Sequence, residues 1–102
     1  MSHAELTVKA FQKHISEQYE KTDRARGSAK TFVWFIEEVG ELATAINSVE
    51  KAPGDAAVRA NLEEEMADVV AWLCTLANIM DVDLAGAITA KYLGQKRPEG
   101  HK

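Results

Sequence analysis

Two long segments with apolar residues at helical spacing lie on either side of Pro53-Gly54, and they constrain the fold more than any other feature. Residues three or four apart share one face of an α-helix, so each segment predicts a long amphipathic helix. Because the connection is short, the two helices are expected to form an antiparallel hairpin. The apolar positions are Phe32, Phe35, Ile36, Val39, Leu42, Ala43, Ile46 and Val49, then Val58, Leu62, Met66, Val69, Leu73, Leu76 and Met80.

The rest of the 102-residue chain extends this pattern to an all-α single domain over 1–102. Strand signals are lacking, because β-branched residues nowhere alternate with polar ones for long enough. Ser28 is expected to cap the second helix and Asp83 the fourth, and a break is expected over 22–27. The predicted helices span about 4–21, 28–50, 55–80 and 83–92, with a loose tail at 94–102.

So short a chain with two long amphipathic helices has more apolar surface than one hairpin can bury. A homodimer or homotetramer that completes a helical bundle is therefore expected. No apolar run approaches the roughly 20 residues of a membrane span, and the start, MSHAELTVKAF, lacks a secretion signal. Cys74 is the single cysteine, which excludes a disulfide framework and fits a reducing, cytoplasmic setting.

The net charge of −4 argues against a nucleic-acid partner, because such proteins bind by neutralising phosphates. Acidic residues cluster in the middle of the chain, and basic residues lie near the ends of the predicted helices. This segregation would suit a metal–polyphosphate complex, but on charge alone an ordinary soluble helical protein is the simpler explanation. The basic residues concerned are Arg24, Arg26, Lys30, Lys91, Lys96 and Arg97.

Two acidic motifs, Glu37-Glu38-Val39-Gly40-Glu41 and Glu65-Met66-Ala67-Asp68, occupy the two long helices. The acids three apart within each motif share a helix face. In a hairpin that turns at Pro53, residues equally far from the proline face each other. Glu38 then faces Asp68, Glu41 faces Glu65, and Trp34 and Trp72 meet at one end.

Four carboxylates in one small volume repel each other, so they raise each other's pKa or separate the helices. Mg²⁺ removes this conflict because it prefers oxygen ligands, and it commonly binds carboxylates together with substrate phosphates. Mn²⁺ fits the same ligands. Iron and zinc are disfavoured, because His3, His14 and His101 fall on neither motif. The alternatives stay open: the acids could form a solvated helix face, and the tryptophans could be core residues instead of a base-stacking wall.

With these residues in place, the chain resembles the MazG-like branch of the all-α nucleoside triphosphate pyrophosphohydrolases. That family carries Glu-Glu-x-x-Glu on one helix and Glu-x-x-Asp on the next, a pattern that stands here at Glu37, Glu38, Glu41, Glu65 and Asp68. The flanking segments DRARG, TFVWFIEEVGELATAI and EEMADVVAWLCTLANIMDVDL are similar to the family as well. The resemblance covers about 19–92.

The resemblance implies Mg²⁺-dependent hydrolysis of a (deoxy)nucleoside triphosphate to the monophosphate and pyrophosphate, often in sanitation of the nucleotide pool. Water activated by metal and carboxylate would attack the α-phosphorus. By motif position, the metal ligands would be Glu38, Glu41, Glu65 and Asp68, and Glu37, Glu38 and Glu41 would serve catalysis, Glu37 by ordering the water. The expected substrate contacts are Arg24, Arg26, Lys30, Trp34, Trp72 and Lys91, whereas the tail with Lys96 and Arg97 departs from the family pattern.

Two alternatives remain at the level of sequence. A nucleoside diphosphate hydrolase or a phosphoribosyl-ATP pyrophosphohydrolase shares the fold and the acids. A non-catalytic helical dimerisation module or metal-binding regulator would bind metal or a partner without turnover.

Overall fold

The computed structural model of the protein describes residues 2–94, which contain helices and no strand. The predicted all-α class is therefore confirmed for this part of the chain. The loose tail predicted for 94–102, with Lys96 and Arg97, lies outside the described residues apart from Gly94. A short 3₁₀ turn at His3–Glu5 precedes four helices: α1 Val8–Arg26, α2 Ser28–Lys51, α3 Ala56–Ile79 and α4 Leu84–Tyr92.

Helix α1 starts later and ends later than the sequence predicted, and the break expected over 22–27 is wrong. The helix begins at Val8, where the hydroxyl of Thr7 accepts a backbone N–H of the first turn at 3.0 Å. It continues to Arg26 because no glycine or proline precedes the end. Gly27 then ends the helix with φ 85° and ψ 165°, a backbone conformation that is open essentially only to glycine.

Gly27 alone joins α1 to α2. The predicted cap of α2 by Ser28 is therefore wrong. Gly27 occupies the N-cap position, without a side-chain hydrogen bond, and Ser28 is the first residue of the helix. The carbonyl of Gly27 instead accepts the N–H of Thr31 at 3.2 Å. This one-residue connection places the end of α1 directly beside the first turn of α2.

The predicted hairpin is confirmed, since α2 and α3 pack along each other more extensively than any other pair of the described helices. The turn lies at 52–55, where the carboxylate of Asp55 accepts the N–H groups of Ala57 and Val58 and so caps α3. Asp83 caps α4 through the N–H of Gly86, as predicted. Helix α1 packs mainly against α3, and α4 packs against α1.

The corner between α3 and α4 is fastened to α1 by the side-chain amide of Gln12. Its Nε2 donates to Asn78 Oδ1 at 3.0 Å and to the carbonyl of Val82 at 2.7 Å, and its Oε1 accepts the N–H of Leu84 at 3.1 Å. Asp81 turns the corner with φ 56°, a left-handed conformation that aspartate tolerates better than most residues. The far end of α3 is thus held by polar contacts.

The buried core of a single chain is small, and many large apolar side chains of the hairpin are exposed. Ile36, for example, keeps 50% of its surface accessible. Helical spacing places these side chains on one side of the hairpin. We call this surface the open apolar face, and it consists of Phe32, Ile36, Val39 and Ile46 of α2 with Met66, Val70 and Leu73 of α3.

The open apolar face is where a second copy would pack if the predicted oligomer forms, although oligomerisation itself stays a prediction. Contiguous exposed apolar surface of this kind marks interaction sites in soluble proteins. Among the described residues, no single helix is long and apolar enough to cross a membrane; α3 and α4 reach that length and composition only when taken together, and they are bent by 103°.

Candidate functional site

Three carboxylates meet across the hairpin. Glu38 of α2 and Glu65 and Asp68 of α3 each offer one oxygen, and these oxygens all lie within 4.8 Å of one another. The same register brings the rings of Trp34 and Trp72 together, with a centroid separation of 5.8 Å. The predicted pairing of residues equally far from the turn is therefore confirmed by the geometry.

Glu41 lies at the edge of this group, one helical turn after Glu38. Burial is the main cause that raises the pKa of Glu38 and of Glu65, and the nearby charge of Glu41 raises both further. Glu41 is not among the three residues whose oxygens are mutually close. Glu37 directly precedes Glu38 on α2, and its side chain is exposed. We call Glu38, Glu41, Glu65 and Asp68 the carboxylate cluster.

The inner oxygens of the carboxylate cluster are left in an unfavourable environment. Glu38 Oε2 and Glu65 Oε2 are buried, and neither has a hydrogen-bond partner among residues 2–94. Burial raises the pKa of Glu38 and of Glu65, and the negative charge of neighbouring carboxylates raises it further. A hard divalent cation with oxygen ligands would supply the missing partner, so the donor set fits such an ion.

The two tryptophans do not form an open wall, because a guanidinium group covers both rings. The ring planes of Trp34 and Trp72 lie 78° apart, and Cζ of Arg26 is 4.7 Å from the first centroid and 5.2 Å from the second. Nζ of Lys30 lies 5.5 Å from the Trp34 centroid. Cations at such distances are attracted by the negative ring faces. Base stacking on these rings stays a prediction, and a base would have to share them with Arg26.

Arg26 is held in this corner by polar contacts that no motif had indicated. Its Nη2 donates to Asp23 Oδ1 at 2.7 Å, and its Nε donates to Thr31 Oγ1 at 2.8 Å. Asp23 Oδ2 in turn accepts the hydroxyl of Thr75 at 3.1 Å. Asp23, Thr31 and Thr75 are all buried. The available signal was the spacing of Asp23 and Arg26, since residues three apart on a helix can pair.

A cavity of about 320 Å³ lies between α1 and α3, beside the carboxylate cluster. Asp68 of the cluster and Arg26 both line it, together with Trp72 and the side chains of Ile15 and Tyr19. An acidic group and a basic group therefore face the same space, next to apolar and aromatic surface. Such a cavity can accept a molecule with a metal-bound anionic part and an organic part.

Arg24 points to the other end of α3. It donates to the backbone carbonyls of Asn78 at 2.8 Å and Ile79 at 3.3 Å, and to Asp81 Oδ1 at 2.8 Å. Asn78 is ten residues from Asp68 along α3, or about 15 Å at about 1.5 Å per residue. In this position Arg24 satisfies the free carbonyls at the end of α3, as basic side chains often do. Its predicted contact with substrate stays a prediction.

Lys91 is likewise separate from the tryptophan corner. It is exposed on α4, with Nζ 5.4 Å from the ring centroid of its neighbour Tyr92. Helix α4 packs against α1 rather than along the hairpin. Of the basic residues predicted to contact substrate, the structure thus gathers Arg26 and Lys30 beside the tryptophans and places Arg24 and Lys91 elsewhere.

The comparison with known families agrees with the site. The family model of the MazG nucleotide pyrophosphohydrolase domain matches residues 26–98, which is most of the chain. The match begins at Arg26 and contains the whole carboxylate cluster and both tryptophans. No curated protein is similar to the chain at a significant level. The resemblance seen in the sequence is confirmed, and the chain belongs to the MazG nucleotide pyrophosphohydrolase domain family.

Proposed function

We propose that this protein is a Mg²⁺-dependent nucleoside triphosphate pyrophosphohydrolase that cleaves (d)NTP to (d)NMP and pyrophosphate, with nucleotide-pool sanitation as its role. One observation carries the proposal: the carboxylates of Glu38 and Glu65, each with a buried unpartnered oxygen, converge with that of Asp68. They do so beside a cavity that Asp68 shares with Arg26, in a chain of the MazG family.

The carboxylate cluster is the proposed holder of Mg²⁺, with Mn²⁺ as a substitute. Glu38, Glu65 and Asp68 supply the converging oxygens, and Glu41 supplies a carboxylate at the rim. An ion held there would orient the triphosphate and offset the charge that builds up on the phosphoryl oxygens. Because carboxylate oxygens prefer hard cations, zinc and other metals that favour His or Cys are poorer candidates.

Other residues of the chain have proposed roles in activating water and binding the substrate. Glu37, which is exposed on α2 directly before Glu38, is the proposed residue that orders the attacking water, and the carboxylate cluster would accept its proton. Arg26 faces the cavity and offers its remaining N–H groups to the phosphate chain. Lys30 adds positive charge beside Trp34. The nucleoside occupies the cavity between α1 and α3.

The working unit is proposed to be a homodimer or homotetramer, joined through the open apolar face. Ile36 and its neighbours in the open apolar face are about half exposed in a single chain. Covering them with a second copy would remove apolar surface from water and stabilise a chain whose own core is small. The cytoplasm is the proposed compartment, and neither nucleic acid nor membrane is a proposed partner.

The test is a panel of ribo- and deoxyribonucleoside triphosphates with Mg²⁺, in which monophosphate and pyrophosphate are both quantified. Running the reaction in ¹⁸O-water locates the attacked phosphorus, because attack at the α-phosphorus places the label in the monophosphate. Label in pyrophosphate, or release of orthophosphate, would contradict the proposal. Nucleoside diphosphates and phosphoribosyl-ATP belong in the same panel, since a preference for either would assign the chain to the related activity.

Binding measurements on the same protein distinguish a hydrolase from a non-catalytic metal-binding regulator. A metal-binding regulator would raise its melting temperature with Mg²⁺ alone and turn over no nucleotide. A hydrolase should be stabilised more by Mg²⁺ together with a non-hydrolysable triphosphate than by either alone, because only the pair fills the site.

A further inference from the structure

We propose that Asp23 is a positioning residue that acts through Arg26. Asp23 is 5% exposed, which is rare for a carboxylate unless it is paired. Both of its oxygens are used: Oδ1 accepts Nη2 of Arg26 at 2.7 Å, and Oδ2 accepts the hydroxyl of Thr75 at 3.1 Å. Asp23 lies three residues before the segment that the family model matches, so the match does not assign it.

The second anchor of Arg26 comes from α2. Nε of the guanidinium donates to Thr31 Oγ1 at 2.8 Å, and the hydroxyl of Thr31 donates to the carbonyl of Gly27 at 2.6 Å. Thr31 has no exposed surface. The chain of bonds therefore runs from Thr75 on α3, through Asp23 and Arg26 on α1, to Thr31 on α2, and it ties three helices to one guanidinium group.

Four side chains hold the guanidinium group in place. Asp23 and Thr31 bind two of its nitrogens, and the ring centroids of Trp34 and Trp72 lie 4.7 and 5.2 Å from Cζ. The Arg26 side chain keeps only 13% of its surface accessible, whereas that of Arg24 keeps 43%. A side chain already held in one rotamer loses less entropy when it binds a ligand. The pairing with Asp23 thus holds the positively charged guanidinium group of Arg26 in one position at the cavity, which Asp68 also lines.

The part of this inference that concerns catalysis rests on the proposed function. If the carboxylate cluster holds a metal–triphosphate complex, the free N–H groups of Arg26 meet its phosphate oxygens. Loss of Asp23 would then release Arg26 and weaken substrate binding rather than the chemical step. A contact of that kind, made before and during reaction, changes KM more than kcat.

The test that needs no substrate uses the two tryptophans, which are the only ones in the chain and both lie against Arg26. Acrylamide quenching of their emission reports how well their faces are covered. We expect Asp23→Asn to raise the quenching constant of the metal-free protein as much as Arg26→Gln does. Asp81→Asn is the matched control, because it removes the charge from an Asp–Arg pair at the far end of α3 and should leave quenching unchanged.

The double variant decides whether Asp23 acts through Arg26. In an Arg26→Gln background, Asp23→Asn should add no further change in quenching, since nothing remains to be positioned. An equal change in both backgrounds, or no change in the wild-type background, would overturn the inference. If Asp23→Asn does not fold, Thr75→Val removes only the outer hydrogen bond and should shift quenching in the same direction. Thr75→Ser, which restores a hydroxyl, should reverse that shift.

If hydrolysis is found, Asp23→Asn and Arg26→Gln should each raise KM about 10- to 100-fold, as expected for the loss of a hydrogen bond to a charged group, with a smaller change in kcat. A fall in kcat at unchanged KM would contradict the positioning role. If no substrate is turned over, the proposed function fails while the quenching result still decides the role of Asp23.

Discussion

Glu38 of α2 and Asp68 of α3 bring carboxylate oxygens to within 4.8 Å of each other across the hairpin, and Glu65 completes the group. The register of the two helices alone produces this meeting. Without a cation the arrangement opposes folding, because burial and like charge both disfavour the ionised carboxylates. The same groups are the proposed ligands of a cation, so stability and activity should respond in opposite directions when one of them is neutralised.

Glu38→Gln should abolish hydrolysis and also raise the melting temperature of the metal-free protein at neutral pH. The amide removes a charge whose ionised form is disfavoured, since the pKa of Glu38 is raised by burial and by neighbouring acids. Loss of a proposed metal ligand should cost more than the roughly 10- to 100-fold loss that follows when a residue supporting a ligand is changed. Pyrophosphate release and thermal denaturation in chelator measure the two effects. Glu63→Gln, on the exposed part of α3, is the control and should change neither.

The metal-free protein should lose stability as pH rises above 4.5, the ordinary value for a glutamate side chain. The pKa values of Glu38 and Glu65 are raised in the folded protein, so the folded state keeps protons that the unfolded chain has released. Raising the pH through that window therefore favours unfolding. The measurement is the difference in melting temperature between wild type and Glu38→Gln at each pH. The subtraction removes the contribution of carboxylates that titrate alike in both proteins. Excess Mg²⁺ should make this difference depend less on pH. If the melting temperatures of the two metal-free proteins change with pH in parallel, the prediction is wrong.

Gly27→Ala should destabilise the protein by about 1–3 kcal/mol, the usual cost of a residue held in a sparsely populated backbone region. Gly27 has φ 85°, and a Cβ there would meet no other atom of residues 2–94 within 4 Å, so the cost comes from the backbone and not from crowding. Chemical denaturation gives the free energy of unfolding. Gly40→Ala is the matched control: Gly40 is helical, with nothing within 4 Å among the described residues. That change should stabilise by up to about 1 kcal/mol.

Ile36→Lys should break the proposed oligomer. Ile36 lies in the open apolar face, and an unpaired charge buried at an interface is costly. Light scattering on the wild type should give a multiple of the 11.2 kDa chain mass, and on the variant a mass near 11.2 kDa. Leu6→Lys, an exposed apolar position before α1, should leave the mass unchanged. A wild-type protein that is monomeric at working concentration would refute the proposal.

The helical pattern predicted α2 and α3 well because their information is local. Apolar spacing defines the face of each helix, Pro53-Gly54 marks the turn, and hairpin geometry then determines which residues oppose each other. For that reason the sequence predicts that Glu38 faces Asp68, and the structure confirms this proximity. The predicted end of α1 is wrong because the mostly polar residues 22–26 resemble a loop, although none of them is glycine or proline and Gly27 is the residue that ends the helix.

By itself, the sequence determined the two long helices, their register and the meeting of Glu38 with Glu65 and Asp68, since these follow from periodicity and one short turn. Only the tertiary structure decided which arginine lies beside the carboxylate cluster and the tryptophans. Arg24 and Arg26 are two residues apart and so point to opposite sides of α1; the docking of α1 onto α3 buries Asp23 against Thr75 and turns Arg26 onto the tryptophans. That docking joins residues far apart in the chain, and no local pattern reports it.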